Sequence, residues 1–374
     1  MKYLVAPSAF KGSFSPSQVA HAIADGIRRC SLDNKISLSP IADGGDGTIE
    51  ALQIATGGEL NSLIVQGPIG EPVTAIWLTL KKHHIGTENK NDLAAVLELA
   101  SACGLAYIAP DRLAALDAHT FGVGQLIEHC YQKGFRNIVL AVGGSASTDG
   151  GTGILTALGA LLLDKDGKPV SPGGRGLHAI HSVDLSALER YHELQIQVAT
   201  DVTNHLLGEN GAANIFGPQK GASAADVKEL DAGLLNFANV LERTTGKQAR
   251  HLNGAGAAGG VPFGLALALN AEIIPGFDWI SSLINLEEDV KQSDIVLSAE
   301  GCLDSQSVSG KASGQLARMC IQYGKRFRII AGQIEDGVDW TAHGVEQVIA
   351  AAPPGRYASL QDISDATVKI CSKV

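Results

Sequence analysis

NIVLAVGGSASTDGGTGILTALGALLL, residues 137–163, decides how the chain is read. The first six residues are apolar and rich in β-branched side chains after Asn137, as a buried strand requires, and the closing GILTALGALLL has the length and pattern of a helix. Between them lie four glycines, four hydroxyl residues and one carboxylate, Asp149, and a fifth glycine, Gly153, opens the closing run. Strand, bare polar turn and helix make up the unit from which parallel α/β sheets are built. The same unit recurs outward from this stretch: YLVAP precedes SPSQVAHAIADGIRR, and ISLSPIA precedes GTIEALQIAT. Ser15 and Pro16 predict an N-cap and a first helical position, with Gln18 closing a capping box and Val19, Ile23 and Ile27 forming an apolar stripe beside Ala22. Strand-to-loop patterns return in AAVLELASACG, LQIQVATDVTN, DIVLSAEGCLDSQ and FRIIAGQ. The segment from Gly67 to Lys90 breaks the pattern with an extended stretch and a polar loop, and marks the crossing into a second domain.

The whole chain bounds this reading. Its 374 residues are 45% hydrophobic and 18% charged, enough for two α/β domains with sizeable cores and too apolar for large-scale disorder. The net charge is −10 with no long run of one sign, which points away from nucleic acid and membrane surfaces as partners. The N-terminus turns polar too early for a secretory signal, and no apolar run approaches the roughly 18 residues a membrane span needs, so a cytoplasmic location is expected. Six cysteines without a CxxC spacing fit neither a disulfide framework nor a zinc site, and reduced thiols are expected. The histidines show no HExxH spacing, and His83-His84 reads as a surface turn.

In parallel sheets, ligands bind beyond the carboxyl ends of the strands, so the residues that follow each strand carry the functional information. Here they are DGGDGT (Asp43–Thr48), GGSASTDGGTG (Gly143–Gly153), DVTN (Asp201–Asn204) and EGCLDSQ (Glu300–Gln306). One glycine-rich turn means little, but several that each carry an acid indicate a polar cleft. Glycines let backbone amides approach an anion, and a following helix would aim its positive end at the same place. The spacing is neither GxxxxGK[ST] nor GxGxxG with a distal acid, so a P-loop NTPase or an ordinary dehydrogenase is not indicated. Lys11, Lys220 and Lys311 each lie beside glycine in otherwise uncharged motifs. Acids, lysines and glycine loops are the equipment of phosphoryl transfer, in which metal ions bridge phosphates and lysines neutralise charge. GAGAAGGVPFGLALAL (Gly254–Leu269) admits two readings, a second anion loop or close packing that only small residues permit; Pro262 places its helix start near Val261.

The blocks APSAFKGS, ADGGDGT, GGSASTDGGTG, ATDVTN with LLGENGAANIFGPQKGA, GAGAAGG, and EGCLDSQ with GK resemble, in order, those of the class I bacterial glycerate kinases. The resemblance runs from about residue 5 to 335. It implies ATP-dependent, Mg2+-assisted phosphorylation of D-glycerate in glyoxylate or glycolate salvage, with 2-phosphoglycerate as the favoured product. It also implies an α/β fold of two domains with a flavodoxin-like domain, residues 67–284, inserted into one formed by both termini, residues 1–66 and 285–374, and an active site in the cleft between them. Three positions depart from the family pattern. Ser8 stands where many members carry an acid, His205 replaces a common proline, and Cys302 replaces a frequent arginine.

Roles follow as expectations. The Gly143 and Gly144 amides with Ser145 and Ser147 would hold one anionic group, either the substrate carboxylate or a phosphate. Asp201 is the candidate for general base or magnesium ligand, with Asp46, Asp149 and Asp304 as rivals; Asp46 and Asp304 are assigned to the metal and Asp149 to the anion site. Lys11 and Lys311 would neutralise charge, and Lys220 would hold phosphate. Each Asp at a strand end also fits a helix cap or an Asx turn. Two other functions fit the same sequence: a kinase for a related hydroxy or sugar acid, and a non-catalytic hydroxy-acid binding protein. No pattern in the sequence indicates an oligomeric state.

Overall fold

The computed structural model describes the chain except residues 11, 12, 43, 46, 82–92, 305, 306, 308–310, 336, 373 and 374. It divides into two α/β units, one formed by Met1–Gly57 with Gly276–Val374 and one by Gly58–Pro275. These crossings come earlier in the chain than Gly67 and Ile284. Strand pairing explains the first: Glu59–Gln66 pairs antiparallel with Pro72–Lys81 and therefore belongs to the inserted sheet. Helix packing explains the second, because Gly276–Leu283 lies against the Thr48–Thr56 helix of the terminal unit.

The terminal unit has a five-stranded, all-parallel sheet. From one edge its strands are Gln347–Ala350, Arg326–Ile334, Ile295–Leu303, Lys2–Val5 and Lys35–Leu38. Numbered along the chain within the unit and read from the opposite edge, the order is 2-1-3-4-5, that of flavodoxin-like sheets. The inserted unit instead carries a six-stranded mixed sheet, ordered Glu272–Ile274, Gln195–Ala199, Asn137–Ala141, Leu93–Glu98, Pro72–Lys81 and Glu59–Gln66. Its first four strands run parallel and the last two add an antiparallel hairpin. The α/β class and the insertion of one unit into the other thus stand, with the flavodoxin strand order in the terminal unit.

Local chemistry builds the elements as read. The Pro16–Cys30 helix opens on a reciprocal capping box between Ser15 and Gln18, with Pro16 at its first position. Val19, Ile23 and Ile27 are fully buried against the sheet, where Val5, Leu297 and Ile330 meet them in one core. The Asn137–Ala141 strand is buried along nearly its whole length, in a second core with Trp77, Leu97, Phe237 and Phe263. The expected helix after the glycine-rich turn is shorter than its pattern suggested. It spans Thr152–Ala157, and Leu161–Leu163 forms a separate strand paired with Ser182–Asp184. Gly159, with φ 106°, supplies the break between them.

One close approach organises the terminal unit. A Cβ on Gly26 would come within 2.5 Å of both the Ser364 carbonyl oxygen and the Thr367 Cβ, so the Leu360–Cys371 helix rests directly on the backbone of Pro16–Cys30. Overpacking of this kind costs about 1–3 kcal/mol. Gly26→Ala should therefore lower the unfolding free energy by that amount, read as a reduced urea midpoint at unchanged slope.

Candidate active site

In the inserted unit, the loop after Asn137–Ala141 is organised around a carboxylate. Asp149 is completely buried. Its Oδ2 accepts hydrogen bonds from the Thr120 amide (2.8 Å), the Thr120 hydroxyl (2.8 Å) and the Gly153 amide (3.1 Å), while Oδ1 accepts from the Gly151 amide at 3.0 Å. The Thr120 Oγ1 in turn accepts from the Ile154 amide at 3.1 Å. The first amides of the Thr152–Ala157 helix are thereby consumed by Asp149 and Thr120. This corrects the expectation that the helix aims its positive end at a phosphate, and moves Asp149 from anion binding to capping.

Lys220 is also interior, 2% exposed. Its ammonium donates to Ser145 Oγ at 2.9 Å and to the Ser147 carbonyl, so it braces the glycine-rich turn from within and does not reach out to phosphate. Burial pulls its pKa down to about 8, against partial compensation from nearby Cys103 and Asp149. Burial likewise pushes the Cys103 thiol up to about 12. Ser147 is fully buried as well. A Cβ on Gly259 would lie 2.3 Å from the Ser147 carbonyl oxygen, showing that the Gly254–Gly260 segment covers it. Of its two readings, GAGAAGG serves close packing, and the helix after it starts at Val261 as expected. Gly143 and Gly144 are half-buried and Ser145 retains 8% exposure. They are the members of the predicted anion site that stay accessible.

Asp201 lies two residues beyond the Gln195–Ala199 strand and is half-buried. The block it opens is tied to its neighbours by Asn204, whose Nδ2 donates to the Asn210 carbonyl at 2.8 Å and whose carbonyl accepts from the Gly256 amide at 2.9 Å. His205 is exposed, which accounts for the loss of a proline there without strain.

In the terminal unit, the 2-1-3-4-5 order puts a topological switch point between Lys2–Val5 and Ile295–Leu303, whose carboxyl ends are the expected ligand position. Ser8 follows the first of these strands, and its amide and hydroxyl donate to the Ala299 carbonyl at 2.9 and 3.1 Å. Across from it, Lys311 Nζ sits 3.0 Å from Asp304 Oδ2, 3.1 Å from Asp304 Oδ1 and 3.4 Å from Glu300 Oε1. Ser313 donates to Glu300 Oε2 at 2.9 Å. Burial raises the pKa of Glu300, and Lys311 and Ser313 offset it only in part. Burial also acts to raise Asp304, but Lys311 and the Ser307 bonds outweigh it and hold this carboxyl below its usual range. Burial would lower Lys311; its two carboxylates more than reverse that and keep the ammonium charged. Lys311 is also the N-cap residue of the Ala312–Gln322 helix, which has no side-chain cap.

The structure thus brings Asp304 and Lys311 together, and gathers Ser145, Ser147, Asp149 and Lys220 about the Gly143–Gly144 turn of the other unit. Lys11 and Asp46 lie outside the described residues. Glu300 was missed as a site residue; its signal was an acid inside an otherwise uncharged strand, Ile295–Leu303. Among the described residues, no group of three or more His, Cys, Asp or Glu gathers to hold a metal ion. Mg2+ needs less, usually one or two carboxylates plus phosphate oxygens, and the hard oxygen donors of Glu300 and Asp304 fit that demand. Among the described residues, no helix is long and apolar enough to cross a membrane.

Comparison with known proteins places this architecture. A model of the glycerate kinase family matches residues 3–368. A glycerate kinase of Halalkalibacterium halodurans is 38% identical over 361 residues, covering 96% of this chain and 92% of that one. A glycerate 2-kinase of Escherichia coli is 39% identical over 352 residues, covering 94% and 90%. A solved chain from Salmonella typhimurium LT2, described as a glycerate kinase 2, superposes with a TM-score of 0.79 at 33% identity, covering 100% of this chain and 98% of that one.

The interior roles of Asp149 and Lys220 make two predictions. Asp149→Ala orphans three buried amides at about 1–3 kcal/mol each, so urea denaturation should show a loss of about 3 kcal/mol or more; lost activity at unchanged stability would contradict the capping role. Lys220 has a folded pKa near 8 against 10.5 for the free side chain. Between those values the unfolded chain binds the extra proton, so the contribution of Lys220 to stability rises with pH. The stability of the parent relative to Lys220→Met should accordingly climb between about pH 8 and 10.5 and be flat below.

Proposed function

The chain belongs to the glycerate kinase family, and we propose that it transfers the γ-phosphoryl group of ATP to the 2-hydroxyl of D-glycerate with Mg2+ as the metal. That the chain is a kinase follows from the family, which also implies ATP as the phosphoryl donor. The observation that carries the finer reading is the Glu300–Lys311–Asp304 cluster at a switch point of a parallel sheet. There an ammonium whose pKa its two carboxylates raise stands at the start of an 11-residue helix that has no side-chain cap. Amides and ammonium together suit a polyphosphate, whose negative charge both stabilise.

Glu300 and Asp304 would hold Mg2+, which when bound neutralises charge on the nucleotide phosphates. Lys311 exchanges part of its hold on the two carboxylates for phosphate oxygens and steadies the negative charge of the loose transition state. The Gly143–Gly144 turn, braced by Lys220 through Ser145, offers amides to the glycerate carboxylate. Asp201 takes the proton of the attacking 2-hydroxyl as the oxygen–phosphorus bond forms and ADP leaves. Because Ser8 carries no charge and is spent on the Ala299 carbonyl, this scheme asks nothing acidic of that position.

The test is to mix the purified protein with MgATP and D-glycerate, follow ADP, and separate the phosphoglycerate isomers, with L-glycerate and metal-free controls. Metal-dependent 2-phosphoglycerate is expected. A 3-phosphoglycerate product overturns the regiochemistry, and turnover only with other hydroxy or sugar acids overturns the substrate. Asp201→Asn should lower kcat by about 10²–10⁴, the usual contribution of a positioned general base, at an unchanged unfolding midpoint.

A further inference from the structure

The helices Pro16–Cys30 and Leu360–Cys371 each end on a cysteine, and they pack side by side in the same direction. Their contacts advance together along both. Ser364 donates to Asp25 Oδ2 at 3.1 Å; Gly26 meets Ser364 and Thr367 at backbone distance; and Arg29 donates to Ser364 Oγ (3.1 Å) and Asp365 Oδ1 (2.7 Å). One step further, the Cys30 thiol donates to the Val368 carbonyl at 3.8 Å. The next inward position of the second helix, one turn after Thr367, is Cys371. Cys30 and Tyr3 both lie near enough to this thiol to bear on its titration, and Val368, whose carbonyl the Cys30 thiol meets, stands three residues before it. Cys30 is exposed and Cys371 is buried. A disulfide needs Cα atoms about 4.4–6.8 Å apart, so the bridge requires the helix ends to stay as close as the helices are one step earlier, where Gly26 meets Thr367.

We propose that Cys30 and Cys371 form a reversible intramolecular disulfide when the protein meets a peroxide. The exposed thiolate of Cys30 attacks one oxygen of hydrogen peroxide, forming an S–O bond and releasing hydroxide, which takes a proton to become water. The sulfur of Cys371 then attacks the sulfenic sulfur of Cys30, the S–S bond forms, and the hydroxyl leaves as water with the proton of the Cys371 thiol. Two thiols are oxidised by two electrons and one peroxide is reduced to two waters. Burial pushes Cys371 up to about 11, ahead of smaller effects from Cys30, Tyr3 and Arg328. Cys30, the exposed thiol of the pair, is the point of first attack, and buried Cys371 is the resolving partner. Of the four other cysteines, Cys103, Cys130 and Cys320 are buried, while Cys302 is exposed and provides an internal control.

The experiment exposes the folded, full-length protein to hydrogen peroxide, blocks remaining thiols, and maps peptides by mass spectrometry before and after dithiothreitol. The expected result is a monomeric species two hydrogens lighter, with the Cys30 and Cys371 peptides joined, a raised unfolding midpoint, and full reversal by the reductant. Cys30→Ser should abolish the crosslink and Cys302→Ser should leave it. Sulfenic or sulfinic acid on Cys30 with Cys371 still alkylatable after unfolding would overturn the proposal, as would an intermolecular disulfide through Cys30 or Cys302. None of these readouts depends on phosphoryl transfer.

Discussion

A carboxylate with no solvent exposure, Asp149, is the constraint on which the inserted unit depends. Its four donors come from two places in the chain, Thr120 at the start of one helix and Gly151 and Gly153 at the start of another. Satisfying a buried carboxyl group in this way leaves little freedom in where either helix begins. The position of the glycine-rich turn follows from it, and the turn gives Lys220 its two oxygen partners. Carboxylate and ammonium thus brace neighbouring parts of the same loop from within, and the accessible Gly143–Gly144 edge is held by buried groups.

The bareness of that backbone has two causes. Gly143 and Gly144 leave amides approachable, which suits an anion. Gly153 is bare for another reason: a Cβ there would stand 2.5 Å from the Phe121 amide and block the capping arrangement. Gly259 lets a neighbouring segment lie across Ser147 in the same way. A motif that looks uniform along the chain is therefore divided between ligand access and interior packing.

The terminal unit solves a different problem. Its parallel sheet changes direction of winding between Lys2–Val5 and Ile295–Leu303, the place where sheets of this order take their ligands. Glu300 and Asp304 share one lysine there. Their pKa values move in opposite directions, Glu300 upward by burial and Asp304 downward once Lys311 and Ser307 outweigh burial. Two acids in one cluster are thereby given unequal affinities for protons, the kind of asymmetry that acid and metal chemistry both use.

Much of this was legible in residue order, because it rests on local rules. The capping box at Ser15 and Gln18, the stripe of Val19, Ile23 and Ile27, the helix start at Val261, the α/β class and the strand-end placing of the acids all depend on neighbours within a few positions. The family was legible too, since its blocks keep their order along the chain. What tertiary structure alone decided is which way each side chain of a motif faces. Asp149, Ser147 and Lys220 have the residue types of a phosphate site, and burial by Thr120, Gly259 and the turn itself makes them its supports. Glu300 joins Lys311 only because the Ala312–Gln322 helix returns its first turn to the end of the strand that Glu300 occupies. Orientation and desolvation come from contacts between distant segments, and spacing along one segment does not encode them.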